Sequence, residues 1–123
     1  MLLKKSPPGT PISYGSIYRT RSETCIATLP VGYADGYPRL LSNNAEVLIR
    51  GKTYPVAGRV CMDQIMVDLG SETDVRLNDT AVLFGPDPAG PTAETVAEAV
   101  GTIPYEITCG ITKRVPRMYV DET

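Results

Sequence analysis

The sequence has 123 residues, of which 42% are hydrophobic and 21% charged, a composition typical of one globular domain and not of a disordered chain. Twelve Lys and Arg stand against fourteen Asp and Glu, so the net charge of -2 provides no basic excess for binding nucleic acid. The chain has no His, which excludes imidazole catalysis and His metal ligation and leaves its seven Tyr as candidates for acid–base chemistry.

The first half of the sequence predicts short β-strands. Residues 12–19 mix Ile, Ser and Tyr as strands do, and residues 24–31 form an apolar run typical of a strand buried on both faces. Residues 46–50 predict another strand. Residues 51–52, with Gly in first place, predict a type II′ turn, and residues 53–56 predict the returning strand.

The middle of the sequence continues this pattern of short elements. Residues 64–69 predict a strand whose odd-numbered positions face the core. Residues 78–79 predict a turn, and residues 80–84 predict the strand that follows it. Residues 85–91 contain three Pro and two Gly, which predicts a loop without regular structure.

One helix is predicted, over residues 92–100. Thr92 can cap its N-terminus, apolar residues recur at the spacing of one helical face, and Gly101 is well placed to end it. Residues 107–111 and 117–120 predict closing strands. Many short strands and one short helix predict a mostly-β, Greek-key-like β-barrel domain.

The cysteines and the apolar segments bear on cellular location. Cys25, Cys61 and Cys109 are odd in number and widely spaced, so we expect buried free thiols in a cytoplasmic protein and no metal site. No apolar run approaches the ~18–20 residues that span a bilayer, and residues 1–8 lack the apolar core of a signal peptide. We therefore expect a cytoplasmic protein that contacts neither membrane nor nucleic acid.

Two clusters with chemical potential lie in the first third of the chain. Tyr14 is followed by Gly, which leaves its phenol less crowded, although a strand aromatic packed on the core would look the same. Residues 31–39 run from a small apolar strand into a turn that carries two Tyr, Asp35 and Arg39. Such a turn suits a site on a rigid β scaffold, or a plain β-turn in which Asp35 bonds its own backbone.

A third cluster occupies residues 57–64, where Arg59 and Asp63 flank a Cys-Met pair. Arg59 could hold a carboxylate through a two-point fork. Asp63 could instead form a purely structural pair with Arg59 or another Arg. Cys61 is a poor candidate nucleophile because the chain has no His to serve as its base.

Five segments carry a family resemblance, and they follow one another along the chain. They are SYG at residues 13–15, GYADGYPR at 32–39, GRVCMDQ at 58–64, TIPYEI at 102–107 and RVPRMY at 114–119. In this order they resemble the C-terminal domain of bacterial alanine racemases, over roughly residues 9–120. We assign residues 9–123 to this domain and residues 1–8, which match less well, to a linker or the start of a fragment.

The resemblance implies a pyridoxal-phosphate-dependent racemase with two domains. In that family an N-terminal α/β barrel holds the cofactor on a lysine, and the C-terminal β domain completes the active site of the partner subunit in a head-to-tail homodimer. The full enzyme is expected to interconvert L- and D-alanine for peptidoglycan synthesis. Because the sequence begins after the barrel would end, we expect the isolated chain to hold no pyridoxal phosphate and to be inactive.

The resemblance also implies roles for individual residues at the reaction centre. Racemisation removes a proton from one face of the α-carbon and returns one to the other, so two bases are needed, and Tyr14 matches the family's second base. A free phenol has a pKa of ~10 and becomes a useful base only where positive charge lowers it. The backbone N–H of Met62 matches the group that binds the amino-acid carboxylate, with Asp63 as an orienting neighbour. Tyr105 matches the tyrosine that bonds the cofactor phosphate.

Four further residues match the corridor through which substrate enters, and two of them are arginines that would attract a carboxylate. They are Tyr33, Arg39, Arg59 and Ile103. Two alternatives stay open. One is a racemase for serine or for several amino acids, since side-chain selectivity depends partly on the barrel. The other is a non-catalytic β module that binds a partner.

Overall fold

The computed structural model describes residues 1–12, 18–20 and 22–120, and its regular structure is mostly β, which confirms the predicted class. Eight short strands in this part of the chain pair antiparallel into three sheets, of orders β1-β4-β7, β2-β3 and β6-β5-β8. They are β1 (Leu2–Ser6), β2 (Pro11–Ile12), β3 (Tyr18–Arg19), β4 (Thr24–Leu29), β5 (Glu46–Ile49), β6 (Lys52–Pro55), β7 (Ile65–Asp68) and β8 (Ala81–Val82). The Greek-key barrel connectivity stays a prediction.

Strand β4 is the centre of the first sheet, as its apolar sequence predicts. It pairs with β1 on one edge, where Leu2 lies opposite Thr28, and with β7 on the other, where Leu29 lies opposite Ile65. Its residues are buried or half-buried along the whole strand, as its apolar run predicts. Strand β1 lies within the segment 1–8 assigned to a linker or fragment start. The domain boundary itself stays a prediction.

The hairpin between β5 and β6 differs from its prediction by one residue. Ile49 pairs with Lys52, so the two loop residues are Arg50 and Gly51, not residues 51–52. Their φ angles are 52° and 77°, and two positive values define a type I′ turn rather than the expected type II′. Arg50 occupies the position for which Asn or Gly is usual, so the sequence pattern places the turn one residue too late.

The prediction of one continuous strand over residues 12–19 is also wrong at its two ends, and residues 13–17 between them lie outside the described part of the chain. Residues Pro11–Ile12 and Tyr18–Arg19 are two strands that pair antiparallel, with Ile12 opposite Tyr18. The residues suit β structure, but the chain direction reverses between the two pairs. Ile12 is buried with Ile26 and Ala57 in a small apolar cluster beside the main core.

The main core joins the sheets to the helical part of the chain. Three residues predicted to face it, Ile65, Val67 and Leu69, are buried in it, as their alternation requires. The other buried members come from β4, from β5, from the loops and from the helices. They are Ala27, Leu29, Tyr37, Leu41, Val47, Ile49, Val56, Val60, Val75, Val96, Ala97 and Ile107.

Helix α1 spans Ala93–Val100 and confirms the prediction for residues 92–100. The Thr92 hydroxyl accepts a hydrogen bond from the Thr95 N–H at 3.1 Å, and Gly101 ends the helix in the left-handed conformation at φ 85°. Val96 and Ala97 are buried on its inner face. The loop over residues 85–91 has no regular structure, and the strand expected over 80–84 is limited to β8.

A second helix, α2 (Pro104–Cys109), replaces the strand expected over residues 107–111, so the expectation of one helix is wrong. Pro104 at the first position starts it, because a missing N–H costs nothing there. Its Thr108, a residue that favours strands, directs its hydroxyl to the Tyr105 carbonyl at 3.1 Å. No helix in the described residues is long and apolar enough to cross a membrane.

The strand expected over residues 117–120 is likewise absent, and this segment has no regular structure. The Arg117 guanidinium donates to the carbonyls of Ile111, Thr112 and Val115, at 2.9, 2.6 and 2.6 Å. Through these bonds Arg117 contacts the loop over residues 111–115, and the segment 117–120 joins no sheet in the described part of the chain. The last three described residues are exposed.

Candidate functional site

A 3₁₀ turn over Tyr33–Asp35 lies on the loop that contains Cys61 and Met62. The Tyr33 N–H donates to the Cys61 carbonyl at 3.0 Å, and the Ala34 N–H donates to the Met62 carbonyl at 2.9 Å. Gly32 makes this approach possible, since a Cβ there would lie 2.1 Å from the Cys61 carbonyl oxygen. The Gly-Tyr-Ala-Asp segment is therefore docked through its backbone, which leaves the Tyr33 side chain exposed.

A second loop brings Arg39 beside Arg59. The Ser42 hydroxyl donates to the Arg39 carbonyl at 2.7 Å and accepts from the Val60 N–H at 2.8 Å. Asn43 and Gly58 exchange two further bonds, from the Gly58 N–H to the Asn43 Oδ1 at 2.5 Å and from the Asn43 N–H to the Gly58 carbonyl at 3.0 Å. The loops that contain the two arginines are thus held together at several points.

An open cleft of about 580 Å³ lies where these loops meet, and we call it the corridor cleft. Its lining residues are Tyr33, Arg39, Arg59, Val60, Cys61 and Met62. Three of the four residues predicted for the substrate corridor are among them, together with the predicted carboxylate-binding Met62. Among the described residues, two arginines and no Asp or Glu line this cleft, an arrangement that attracts anions.

The backbone of Met62 has the donor that the sequence predicts for substrate. Its carbonyl is occupied by the Ala34 N–H, whereas its own N–H donates no hydrogen bond to any described residue. The residue is 53% exposed and lines the corridor cleft. A backbone N–H in a cleft with two arginines is a suitable donor for a carboxylate oxygen.

Other predicted residues lie away from the corridor cleft. The exposed Asp63 lines a separate cleft of about 400 Å³ with residues of β1 and β4. Ile103 is the N-cap of α2 and is 59% exposed, and Tyr105 in the first turn of α2 is 78% exposed. Tyr14 lies outside the described residues. The structure therefore brings four of the eight predicted site residues together.

Asp35 is the main site-related residue whose contacts sequence reasoning missed. Its Oδ2 accepts the Gly32 N–H at 2.9 Å, a bond to the local backbone such as the sequence predicts for a turn. It also pairs with Arg114 at 3.4 Å, and its carbonyl accepts the Thr112 N–H at 3.1 Å. These partners are distant in sequence, so no local pattern reveals them.

The Cys, Asp and Glu side chains are the candidate metal ligands of this chain, and their positions decide whether they could hold an ion. Across residues 1–12, 18–20 and 22–120, no group of three or more Cys, Asp or Glu side chains lies close enough together to hold a metal ion. No disulfide joins the cysteines in that part of the chain. The expectation that they are buried is wrong, because Cys25 and Cys61 are half-buried and Cys109 is exposed.

Comparison with known proteins identifies the family. Residues 1–119 match the family described as alanine racemase, C-terminal domain. The alanine racemase of Halothermothrix orenii is 57% identical over 118 residues, which are 95% of this chain and 31% of that protein. That of Desulfovibrio desulfuricans is 50% identical over 122 residues, which are 98% of this chain and 32% of that protein.

Solved structures agree in fold. The alanine racemase from Streptomyces coelicolor superposes with a TM-score of 0.91 at 51% identity, over 98% of this chain and 32% of that one. The Bacillus anthracis alanine racemase with bound L-Ala-P gives 0.90 at 43% identity, over 98% and 31%. The chain spans about a third of the length of these relatives, and it belongs to the alanine racemase C-terminal domain family.

Proposed function

We propose that this chain works as the C-terminal domain of a pyridoxal-phosphate-dependent alanine racemase that interconverts L- and D-alanine for peptidoglycan synthesis. The observation that carries the proposal is the corridor cleft, where Tyr33, Arg39, Arg59 and Met62 meet in a chain of this family. The catalytic unit would comprise the N-terminal α/β barrel and a second subunit in a head-to-tail homodimer. The isolated chain is expected to be inactive.

The corridor cleft would admit the amino acid and bind its carboxylate. Arg39 and Arg59 raise the local concentration of anions, and the available Met62 N–H supplies a directed hydrogen bond at the inner surface. Tyr33 narrows the passage beside them. In this proposal Asp63, which lines the separate cleft, acts as an orienting neighbour through the adjoining Met62 backbone.

Tyr105 is the residue of this chain that suits the cofactor. Its side chain is 78% exposed at the start of α2, so a phosphate group outside this domain can approach its hydroxyl. A tyrosine hydroxyl is a normal phosphate donor. Ile103, two residues earlier at the N-cap of α2, is also exposed and would line the corridor from that side. When bound, pyridoxal phosphate supplies the electron sink that stabilises negative charge at the α-carbon.

The proton chemistry requires a base on each face of the α-carbon. The family's cofactor lysine serves one face, and we propose that the Tyr14 hydroxyl serves the other. Tyr14 would take the α-proton of L-alanine and return a proton when the reaction runs from D-alanine. The wider protein must therefore bring positive charge to this phenol to make it a competent base.

The experiment is a racemisation assay of the complete protein that includes this chain. Purified protein is supplied with pyridoxal phosphate and either L-alanine or L-serine, and the D-enantiomer is measured by chiral chromatography. We expect D-alanine to form, with serine the poorer substrate. Arg59→Ala should raise the KM for alanine by about 10-fold with a smaller effect on kcat, because it weakens attraction in the corridor.

The matched control is Arg76→Ala, which removes an exposed arginine outside the corridor cleft and should leave both constants unchanged. Faster turnover of serine than of alanine would favour the alternative of a broader racemase. A complete, cofactor-loaded protein that forms no D-amino acid would contradict the proposal and favour a non-catalytic module.

A further inference from the structure

We propose that Asp35 is a positioning residue that couples the corridor cleft to the loop following α2, and so aligns Tyr33 and Met62 with Tyr105 during racemisation. The proposal rests on the function proposed above. The residues predicted to contact substrate and cofactor lie on different elements, namely the corridor loops and α2. A residue that contacts both the corridor loops and the loop after α2 can fix the position of one relative to the other.

The first step is the closure of the 3₁₀ turn. The Asp35 Oδ2 accepts the Gly32 N–H at 2.9 Å, which shapes the turn that contains Tyr33. The same turn donates from the Tyr33 and Ala34 N–H groups to the carbonyls of residues 61 and 62. The position of Met62 relative to Tyr33 therefore depends on the shape that Asp35 maintains.

The second step is the link to the loop after α2. The Asp35 carbonyl accepts the Thr112 N–H at 3.1 Å, and the Ala34 carbonyl accepts the Thr112 hydroxyl at 2.7 Å. Beside them, a Cβ on Gly36 would lie 2.4 Å from the Gly110 carbonyl oxygen, which measures how closely the two backbones approach. Gly110 is the C-cap of α2, so these bonds hold the end of the helix that contains Tyr105.

The third step is the ion pair. The second carboxylate oxygen of Asp35, Oδ1, lies 3.4 Å from the Arg114 Nε. The Asp35 side chain is only 13% exposed. A carboxylate so shielded from water loses more when its partners are removed than an exposed one does. Arg117 then closes the same loop through the Thr112 carbonyl. The Asp35 side chain thus bonds the 3₁₀ turn through Oδ2 and the loop after α2 through Oδ1.

The test compares Asp35→Ala and Asp35→Asn in the complete protein, with rates expressed per pyridoxal-phosphate-loaded site. We expect Asp35→Ala to raise the KM for alanine about 10-fold while kcat changes less, since small displacements of a site have effects of this size or larger. Asp35→Asn keeps an acceptor for the Gly32 N–H and should give a smaller increase. A purely structural role would lower the amount of loaded enzyme and leave KM alone.

Asp79 provides a matched control. Its Oδ2 accepts the Arg76 N–H at 2.7 Å, its Oδ1 lies 3.5 Å from the Arg50 guanidinium, and its side chain is 18% exposed. It therefore makes the same two kinds of contact as Asp35, in a turn that does not line the corridor cleft. Asp79→Ala should lower stability to a similar degree and leave KM unchanged.

Amide hydrogen exchange gives a readout that is independent of activity. In Asp35→Ala, the N–H groups of Tyr33, Ala34 and Thr112 should all exchange about 10-fold faster, because one side chain supports both segments. Faster exchange at residues 32–35 alone, or a KM within twofold of the wild-type value, would overturn the proposal. If the wild-type protein does not racemise alanine, the proposed function fails, and the exchange result still decides whether Asp35 couples the two segments.

Discussion

Tyr37 places a polar hydroxyl group in an apolar part of the core. Its side chain is 2% exposed, and within the described residues its hydroxyl has no hydrogen-bond partner. It faces a small cavity of about 110 Å³ whose lining includes Leu83, Phe84 and Val115. Burial raises the pKa of the Tyr37 hydroxyl above its usual range. A buried polar group without a partner costs about 1–3 kcal/mol.

Replacing this hydroxyl should therefore not weaken the domain. We expect the free energy of unfolding of Tyr37→Phe at pH 7 to equal or exceed that of the wild type by up to about 1 kcal/mol. Urea denaturation measures it, with Tyr54→Phe in β6 as the control. A loss of more than about 1 kcal/mol would mean that the hydroxyl has a stabilising partner.

The same variant should change the response to alkali. Because the folded pKa is raised, Tyr37 contributes stability that is fully present below the unfolded-state pKa of ~10 and is lost as pH rises beyond it. Near pH 11 this loss is about 1.4 kcal/mol in the wild type and absent in Tyr37→Phe. The gap in unfolding free energy between the two proteins should thus widen above pH 10. If the free energies of unfolding of the two proteins fell in parallel above pH 10, the buried position of the Tyr37 hydroxyl would be contradicted.

Among the turns and loops, Gly32 and Gly51 show two different reasons why a position requires glycine. Gly32 has extended dihedrals, with φ at -160°, but no room for a Cβ beside the Cys61 carbonyl. Gly51 has φ at 77° and open space around it. Ala at position 32 must therefore displace the loop of residues 61–62, whereas Ala at position 51 meets only an unfavourable conformation.

The two Ala variants should differ in function more than in stability. Gly51→Ala should cost about 1–2 kcal/mol of unfolding free energy and leave the KM for alanine unchanged. Gly32→Ala should cost about 1–3 kcal/mol and also raise KM, because it opens the docked turn. Denaturation and steady-state kinetics of the complete protein measure both effects. A normal KM in Gly32→Ala would show that the corridor cleft tolerates this displacement.

The elements also show where sequence patterns suffice. Strand β7 and helix α1 are predicted closely because alternation in one and capping by Thr92 and Gly101 in the other are local signals. The sequence pattern fails for helix α2. Ile107 and Thr108 favour a strand, whereas the helix starts at Pro104 and packs against α1.

The candidate site likewise has a part that the sequence predicts and a part that it does not. The family motifs identify Tyr33, Arg39, Arg59 and Met62, and the corridor cleft brings these four together. The coupling of Asp35 to Thr112 could not be predicted, because it joins segments far apart in the chain through backbone groups that every residue has.

For the molecule as a whole, we propose that this chain supplies one part of a larger reaction centre. The corridor cleft is open, and Tyr105 is exposed on α2 outside its lining. The chain spans about a third of the length of its relatives. We propose that the remaining two thirds supply the cofactor lysine and the walls that enclose the substrate.

We propose that Tyr14 of this domain is the second base of an alanine racemase, and α-hydrogen exchange in deuterated water measures that role. In the complete Tyr14→Phe protein, racemisation should fall by about 10²–10⁴-fold, equally in both directions because the overall equilibrium is fixed. The lysine still serves one face, so D-alanine should exchange its α-hydrogen far faster than L-alanine. Equal exchange from both enantiomers, or near-normal racemisation, would contradict the account.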